Sequence, residues 1–137
     1  MEKLTLATQS AQRALRTLEE ILHLPFDTIV RDASIQRFEY TFEAVWKLLK
    51  VYLQSQEGIV CTSPKSCFRH ALRAGLLSLE DTETCLAMTD DRNLTSHTYI
   101  EAIAQAIYQK LPIYYQVLRE LFDKIEYPYD STAPQSD

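Results

Sequence analysis

From Ile35 to Tyr52 the apolar residues Ile35, Phe38, Phe42, Val45, Leu49 and Tyr52 step by three and four without a break. That spacing winds onto one face of an α-helix and cannot alternate as a strand does. Trp46 and Leu53 add a second apolar strip one position on. A helix that is apolar on two sides sits centrally in a bundle, or is shared between a core and a subunit interface. The predicted helix runs from near Asp32–Ser34 to about Gln54. Glu43 and Lys47 form an i,i+4 pair on its polar side.

The rest of the chain follows the same period. Leu4, Ala7, Ala11, Ala14, Leu18 and Leu22 mark a first helix over about 4–24, stopped by Pro25. Gln56 to Ser63 reads as a loop around Gly58. Ser63-Pro64 is a strong helix start, serine as the cap and proline at the first position. The short helix it opens ends near Gly75. A fourth, also short, spans about Leu79 to Met88. Ile100, Ile103, Ile107, Leu111, Tyr114, Leu118, Leu121 and Ile125 then give a last helix from about Thr98 to Ile125, opened by a Thr98/Glu101 capping box and kinked at Pro112. With two glycines and five prolines in 137 residues, there are too few breakers for a many-turned β fold. The expectation is an all-α, up-and-down bundle, three long helices plus two short ones, in one domain over 1–126. Residues 127–137 form a polar tail expected to fray.

Composition bounds the partners. The formal net charge is −5, which argues against coating DNA or other nucleic acid nonspecifically, since such binding needs many Lys/Arg–phosphate contacts. It leaves room for a small, locally positive site. No uncharged apolar run is long enough for a membrane span, and the amphipathic N-terminus carries early acids, unlike a secretory signal. The expected location is the cytoplasm. Cys61, Cys67 and Cys85 are odd in number and contain no CxxC, so they are expected to be buried or half-buried free thiols rather than a disulfide framework. Cys67 and His70 have metal-like spacing, but a structural zinc site needs about four ligands. No metal and no organic cofactor is expected.

One short stretch could do chemistry. RNLTSHTY, Arg92 to Tyr99, places a guanidinium, an imidazole and a phenol within eight residues, with the hydroxyls of Thr95, Ser96 and Thr98 among them. Imidazole titrates near neutral pH and suits proton transfer, which makes His97 the candidate acid or base. The planar fork of Arg92 can grip two phosphate oxygens. Placed at the entrance to the last helix, both would gain from its N-terminal amides. A capped helix start explains the same residues, and Asp90 and Asp91 then serve as capping charges. Lys65, Arg69 and Arg73 recur every four residues beside His70. They are a solvated basic face or a strip that guides an RNA backbone.

Three segments carry a likeness to a known family. IQRFEYTFEAVWKLLKVYL in the second helix looks like the first conserved block of the HEPN proteins, in the branch paired with minimal nucleotidyltransferases (nucleotidyltransferase substrate-binding proteins, or HepT-type toxins). SPKSCFRHALRAGLL is similar to that family's short third helix, and RNLTSHTY matches its Arg-x4-His-x-Tyr motif. The likeness runs from about residue 5 to 123. It implies a dimeric helical bundle that cleaves RNA, tRNA among the candidates, without a metal. The 2′-hydroxyl attacks the adjacent phosphate at a cleft shared by two protomers. Carried over, Arg92 would hold the scissile phosphate, His97 act as general base or acid, and Asn93 orient the site. Tyr99 would take AMP from a cognate nucleotidyltransferase antitoxin. The resemblance also admits a non-catalytic accessory that presents nucleotide or substrate to a nucleotidyltransferase.

Overall fold

The computed structural model describes residues 2–97 and 99–126; for Ser96 and His97 only the backbone is described. Five helices follow one another: α1 (Glu2–Leu22), α2 (Thr28–Glu57), α3 (Pro64–Arg73), α4 (Leu79–His97) and α5 (Glu101–Glu126). Among the described residues there is no strand. The expected all-α bundle is therefore observed. The tail over 127–137 and the Thr98 cap lie outside the described residues.

α2 is the central helix, packed against each of the other four. Its cap lies earlier than expected: the Asp27 carboxylate accepts the Val30 N–H at 2.7 Å, so the helix opens at Thr28 rather than near Asp32. It closes at Gly58, whose φ of 67° is left-handed backbone that favours glycine, while the Ile59 N–H reaches back to Leu53 O at 3.0 Å. α3 starts as the sequence predicts, with Pro64 in its first turn and the Ser63 hydroxyl accepting the Ser66 N–H. His23, at the end of α1, bonds through Nδ1 to the Glu19 carbonyl at 2.8 Å. α5 runs through Pro112 without interruption.

Both apolar strips of α2 are used inside the chain. Phe38, Phe42, Val45 and Leu49 are fully buried, Leu53 is too, and Trp46 is nearly so. The second strip therefore belongs to the core of one chain and supplies no spare apolar surface for a dimer. The rings of Phe38, Phe42, Phe68 and Tyr114 meet at centroid distances of 5.6–6.2 Å, joining α2, α3 and α5.

The main departure is α4. It was expected to stop near Met88 and instead runs from Leu79 to His97, 19 residues in all. Its inward positions explain the miss. Thr82, Cys85, Met88, Thr89 and Asp91 are all buried, but three of them are polar. The threonines satisfy themselves on the preceding turn: Thr82 Oγ1 donates to Ser78 O at 2.7 Å and Thr89 Oγ1 to Cys85 O at 2.8 Å. A stripe built this way is helical in packing yet not apolar in composition. Asp90 and Asp91 consequently lie inside α4 and are not charges ahead of a helix.

The cysteines also depart from expectation. Cys61 and Cys67 are joined by a disulfide, with Cα atoms 5.4 Å apart. An odd count leaves one thiol over but does not forbid a pair. The first turn of α3 folds Cys67 back onto Cys61, six residues earlier. Cys67 is thereby removed from any metal site with His70, and among the described residues no group of three or more potential ligands gathers. Cys85 is free and buried, as expected; burial pushes its thiol up to about 12, which keeps it protonated and inert. Among the described residues no helix is long and apolar enough to cross a membrane.

Candidate functional site

The chemistry-bearing residues gather on the last turns of α4 and the link to α5. α4 is fixed there by Asp91, whose carboxylate accepts from Tyr114 Oη at 2.5 Å and pairs with Lys110 Nζ at 2.9 Å. Burial first, and then Asp91, raise the Tyr114 phenol well above its ordinary value, so it stays a donor. One residue on, Arg92 points to α2: Nη2 meets Glu43 Oε1 at 2.8 Å, and the guanidinium lies 5.9 Å from the centre of the Phe42 ring. Glu43 holds Lys47 with its other oxygen at 3.2 Å. Asn93 stands next to Arg92, its carbonyl 3.5 Å from Nη1, at the outer limit of a hydrogen bond.

Arg92 and Glu43 are both about one-third exposed, at 31% each. A pair so open to water contributes at most about 1 kcal/mol. The guanidinium is thus aimed but not locked, and an arriving phosphate can share or replace the carboxylate at little cost.

His97 is the final residue of α4, and its side chain lies outside the described residues. The expected support from the N-terminal amides of the last helix does not apply to Arg92, because that residue belongs to the C-terminal turns of α4 and α5 begins only at Glu101. Positive charge for an anion must come from Arg92 itself. On an α-helix, positions five apart sit about 140° apart around the axis and about 7.5 Å along it. The register positions of Arg92 and His97 therefore do not share one helix face.

Tyr99 lies between α4 and α5. It is 63% exposed, yet its phenol oxygen accepts from Arg31 Nη2 at 2.7 Å. Arg31 is itself only 3% exposed and is held on its other sides by Asp32 Oδ1 at 3.0 Å, Gln105 Oε1 at 3.3 Å and Glu101 Oε2 at 3.5 Å. The hydrogen bond to Asp32 raises the guanidinium further above its ordinary value, so it remains charged. A cleft of about 210 Å³ opens alongside, lined by Ile35, Gln36, Thr95, Tyr99, Ile100 and Ile103.

The proposed basic strip on α3 is divided. Lys65 is committed to Asp90 of α4 at 2.7 Å, while Arg69 and Arg73 are exposed, Arg73 Nη1 lying 3.5 Å from His70 Nδ1. Sequence reading missed Arg31 as a site residue altogether and saw Glu43 only as the helical partner of Lys47. Their contacts span 68 and 49 residues, and a lone basic or acidic residue in a helix gives no local signal of such a partner.

Known proteins share this fold. A family model described as nucleotidyltransferase substrate binding protein like matches residues 6–127. The chain belongs to that family. The HEPN and HepT-type resemblance of the sequence is thereby upheld. A curated relative from Haemophilus influenzae, "Probable ribonuclease HepT", is 37% identical over 89 residues, which cover 62% of this chain and 59% of that protein. The match thus spans less than two thirds of the relative. A crystal structure of a Thermus thermophilus protein superposes with a TM-score of 0.81 at 46% identity, over 84% of this chain and 98% of that one. Two more distant structures share the fold. One is a mutant of the toxin–antitoxin MntA–HpeT (TM-score 0.74, 14% identity, 92% of this chain and 98% of that one). The other, from Haemophilus influenzae, is described as revealing the fold of a substrate-binding domain of a nucleotidyltransferase (TM-score 0.63, 24% identity, 90% and 96%).

Proposed function

We propose that the chain is the toxin half of a HepT-type toxin–antitoxin pair: a metal-independent endoribonuclease, neutralised when a nucleotidyltransferase partner transfers AMP to Tyr99. The observation that carries this reading is the placement of Arg92, aimed by Glu43 and still one-third exposed, in one eight-residue segment with His97 and Tyr99. The family and the HepT relative support it.

In the cleavage a base removes the proton of the 2′-hydroxyl, whose oxygen attacks the adjacent phosphorus. The bond to the 5′-oxygen breaks, and that oxygen takes a proton, leaving a cyclic phosphate and a free 5′-hydroxyl. Arg92 neutralises the negative charge that builds on the non-bridging oxygens. His97 moves a proton, as base or acid. Because the two register positions lie on different faces of α4, a homodimer supplies what one chain does not, with an Arg92 and a His97 from different protomers at one phosphate. Asn93 helps to orient Arg92, and Arg69 and Arg73 lead the RNA backbone inward. AMP on Tyr99 adds bulk and negative charge two residues from His97 and repels RNA.

The description of the family favours a second reading, a non-catalytic accessory that presents substrate or nucleotide to a nucleotidyltransferase. The purified chain separates the two: the toxin cleaves RNA alone, and the accessory binds nucleotide without cleaving. Tyr99→Phe tests the regulatory half. It is expected to keep cleaving after incubation with the partner and ATP, with no AMP-sized mass increment, while the wild type gains the increment and stops. Silencing of Tyr99→Phe by AMP transfer would contradict the assignment.

A further inference from the structure

An exposed tyrosine ordinarily leaves its hydroxyl to water. Tyr99 is 63% exposed, yet its oxygen is tied at 2.7 Å to the guanidinium of Arg31, a residue only 3% exposed. Burying an arginine is costly unless its donors are all used. Here Asp32 takes Nε, Gln105 and Glu101 take Nη1, and the donor direction of Nη2 is left to Tyr99. Glu101 and Gln105 belong to α5 and Asp32 to α2, so two helices set the direction in which Nη2 points. Tyr99 also lines the open cleft to which Ile35 and Ile103 contribute. Its exposed side chain is therefore held at the oxygen.

We propose that Arg31 positions Tyr99 for modification, holding the phenol oxygen as the acceptor of an adenylyl group from a nucleoside triphosphate. This rests on the reading above that Tyr99 is the residue modified. In the transfer the Tyr99 oxygen attacks the α-phosphorus. The bond from that phosphorus to the bridging oxygen of pyrophosphate breaks, pyrophosphate leaves with the electron pair, and the phenol proton passes to solvent. Nη2 hydrogen-bonds the oxygen as it loses that proton, and afterwards lies against the new phosphodiester. Asp32 and Glu101 cancel much of the net charge of Arg31, so its contribution is a directed hydrogen bond rather than a positive field. That distinguishes it from Arg92, which faces one carboxylate oxygen in a half-open site.

The test is AMP incorporation from radiolabelled ATP by the nucleotidyltransferase partner, at varied concentrations of full-length wild type, Arg31→Gln, Arg31→Lys and Tyr99→Phe. Melting curves for each variant accompany the assay. Arg31→Gln is expected to lose about 10- to 100-fold in kcat, the worth of one charge-assisted hydrogen bond, with little change in the KM for the acceptor protein. Arg31→Lys keeps a charged donor and should recover part of the rate, and Tyr99→Phe should take no label. If Arg31→Gln melts early, Arg31→Lys against Gln105→Ala decides, since Gln105→Ala removes one of the two partners of Nη1 while keeping the guanidinium and should slow labelling less than Arg31→Lys. Labelling of folded Arg31 variants at the wild-type kcat would overturn the role of Arg31 alone. Absence of label on wild type would overturn AMP transfer to Tyr99, and this inference with it.

Discussion

Arg92→Lys is expected to lose RNA cleavage by roughly 100-fold or more while leaving the melting temperature nearly unchanged. Removal of one donor that stabilises transition-state charge typically lowers kcat by about 10²–10³. Lysine keeps the charge but not the planar fork, so it cannot meet Glu43 and two phosphate oxygens in one geometry. The stability change is small because the Arg92–Glu43 pair is 31% exposed on both sides and contributes at most about 1 kcal/mol. Rates on a fixed RNA, with melting curves beside them, check both halves. Full activity in Arg92→Lys would show that a point charge suffices and that the fork has no part.

Phe42→Ala is expected to be the most damaging single change to the fold, at about 3–5 kcal/mol. Phe42 is fully buried and touches the rings of Phe38 and Phe68, so its loss opens a cavity between α2 and α3. For a chain of this size that lowers the melting temperature by roughly 10–20 °C. Its ring also underlies the Arg92 guanidinium at 5.9 Å, so the site loses its backing together with the core. Phe42→Leu refills most of the volume and should recover most of the stability. If Phe42→Ala melts within a few degrees of wild type, the packing described between α2 and α3 is wrong.

What could be read from the sequence follows the chemistry of each element. The α2 seam was legible because its buried residues are apolar and periodic, and Ser63-Pro64 was legible because both residues are local helix signals. The cap of α2 was misplaced because Asp27 and Asp32 are equally plausible acids near a helix start, and only the bond to Val30 N chooses between them. α4 was cut short because its inward face carries Thr82, Thr89 and Asp91, whose polar atoms are satisfied by bonds that no hydropathy pattern records. That error put Arg92 and His97 in a turn before a helix N-terminus; they lie at the C-terminal end of α4, where the local dipole has the opposite sign. The motif residues were found, but their holders were not. Glu43 and Arg31 act across 49 and 68 residues, and such pairs exist only once the bundle has formed.

The central claim is that this chain cuts RNA without a metal through His97. The direct measurement is cleavage of total RNA and tRNA by purified, partner-free protein in EDTA, with His97→Ala alongside and Tyr99 shown by mass spectrometry to be unmodified. The account predicts EDTA-resistant cleavage by wild type and a loss of about 10²–10⁴-fold in His97→Ala, the usual contribution of a positioned acid or base. A folded, unmodified wild type that leaves RNA intact, or a His97→Ala variant that cuts as fast as wild type, would contradict it.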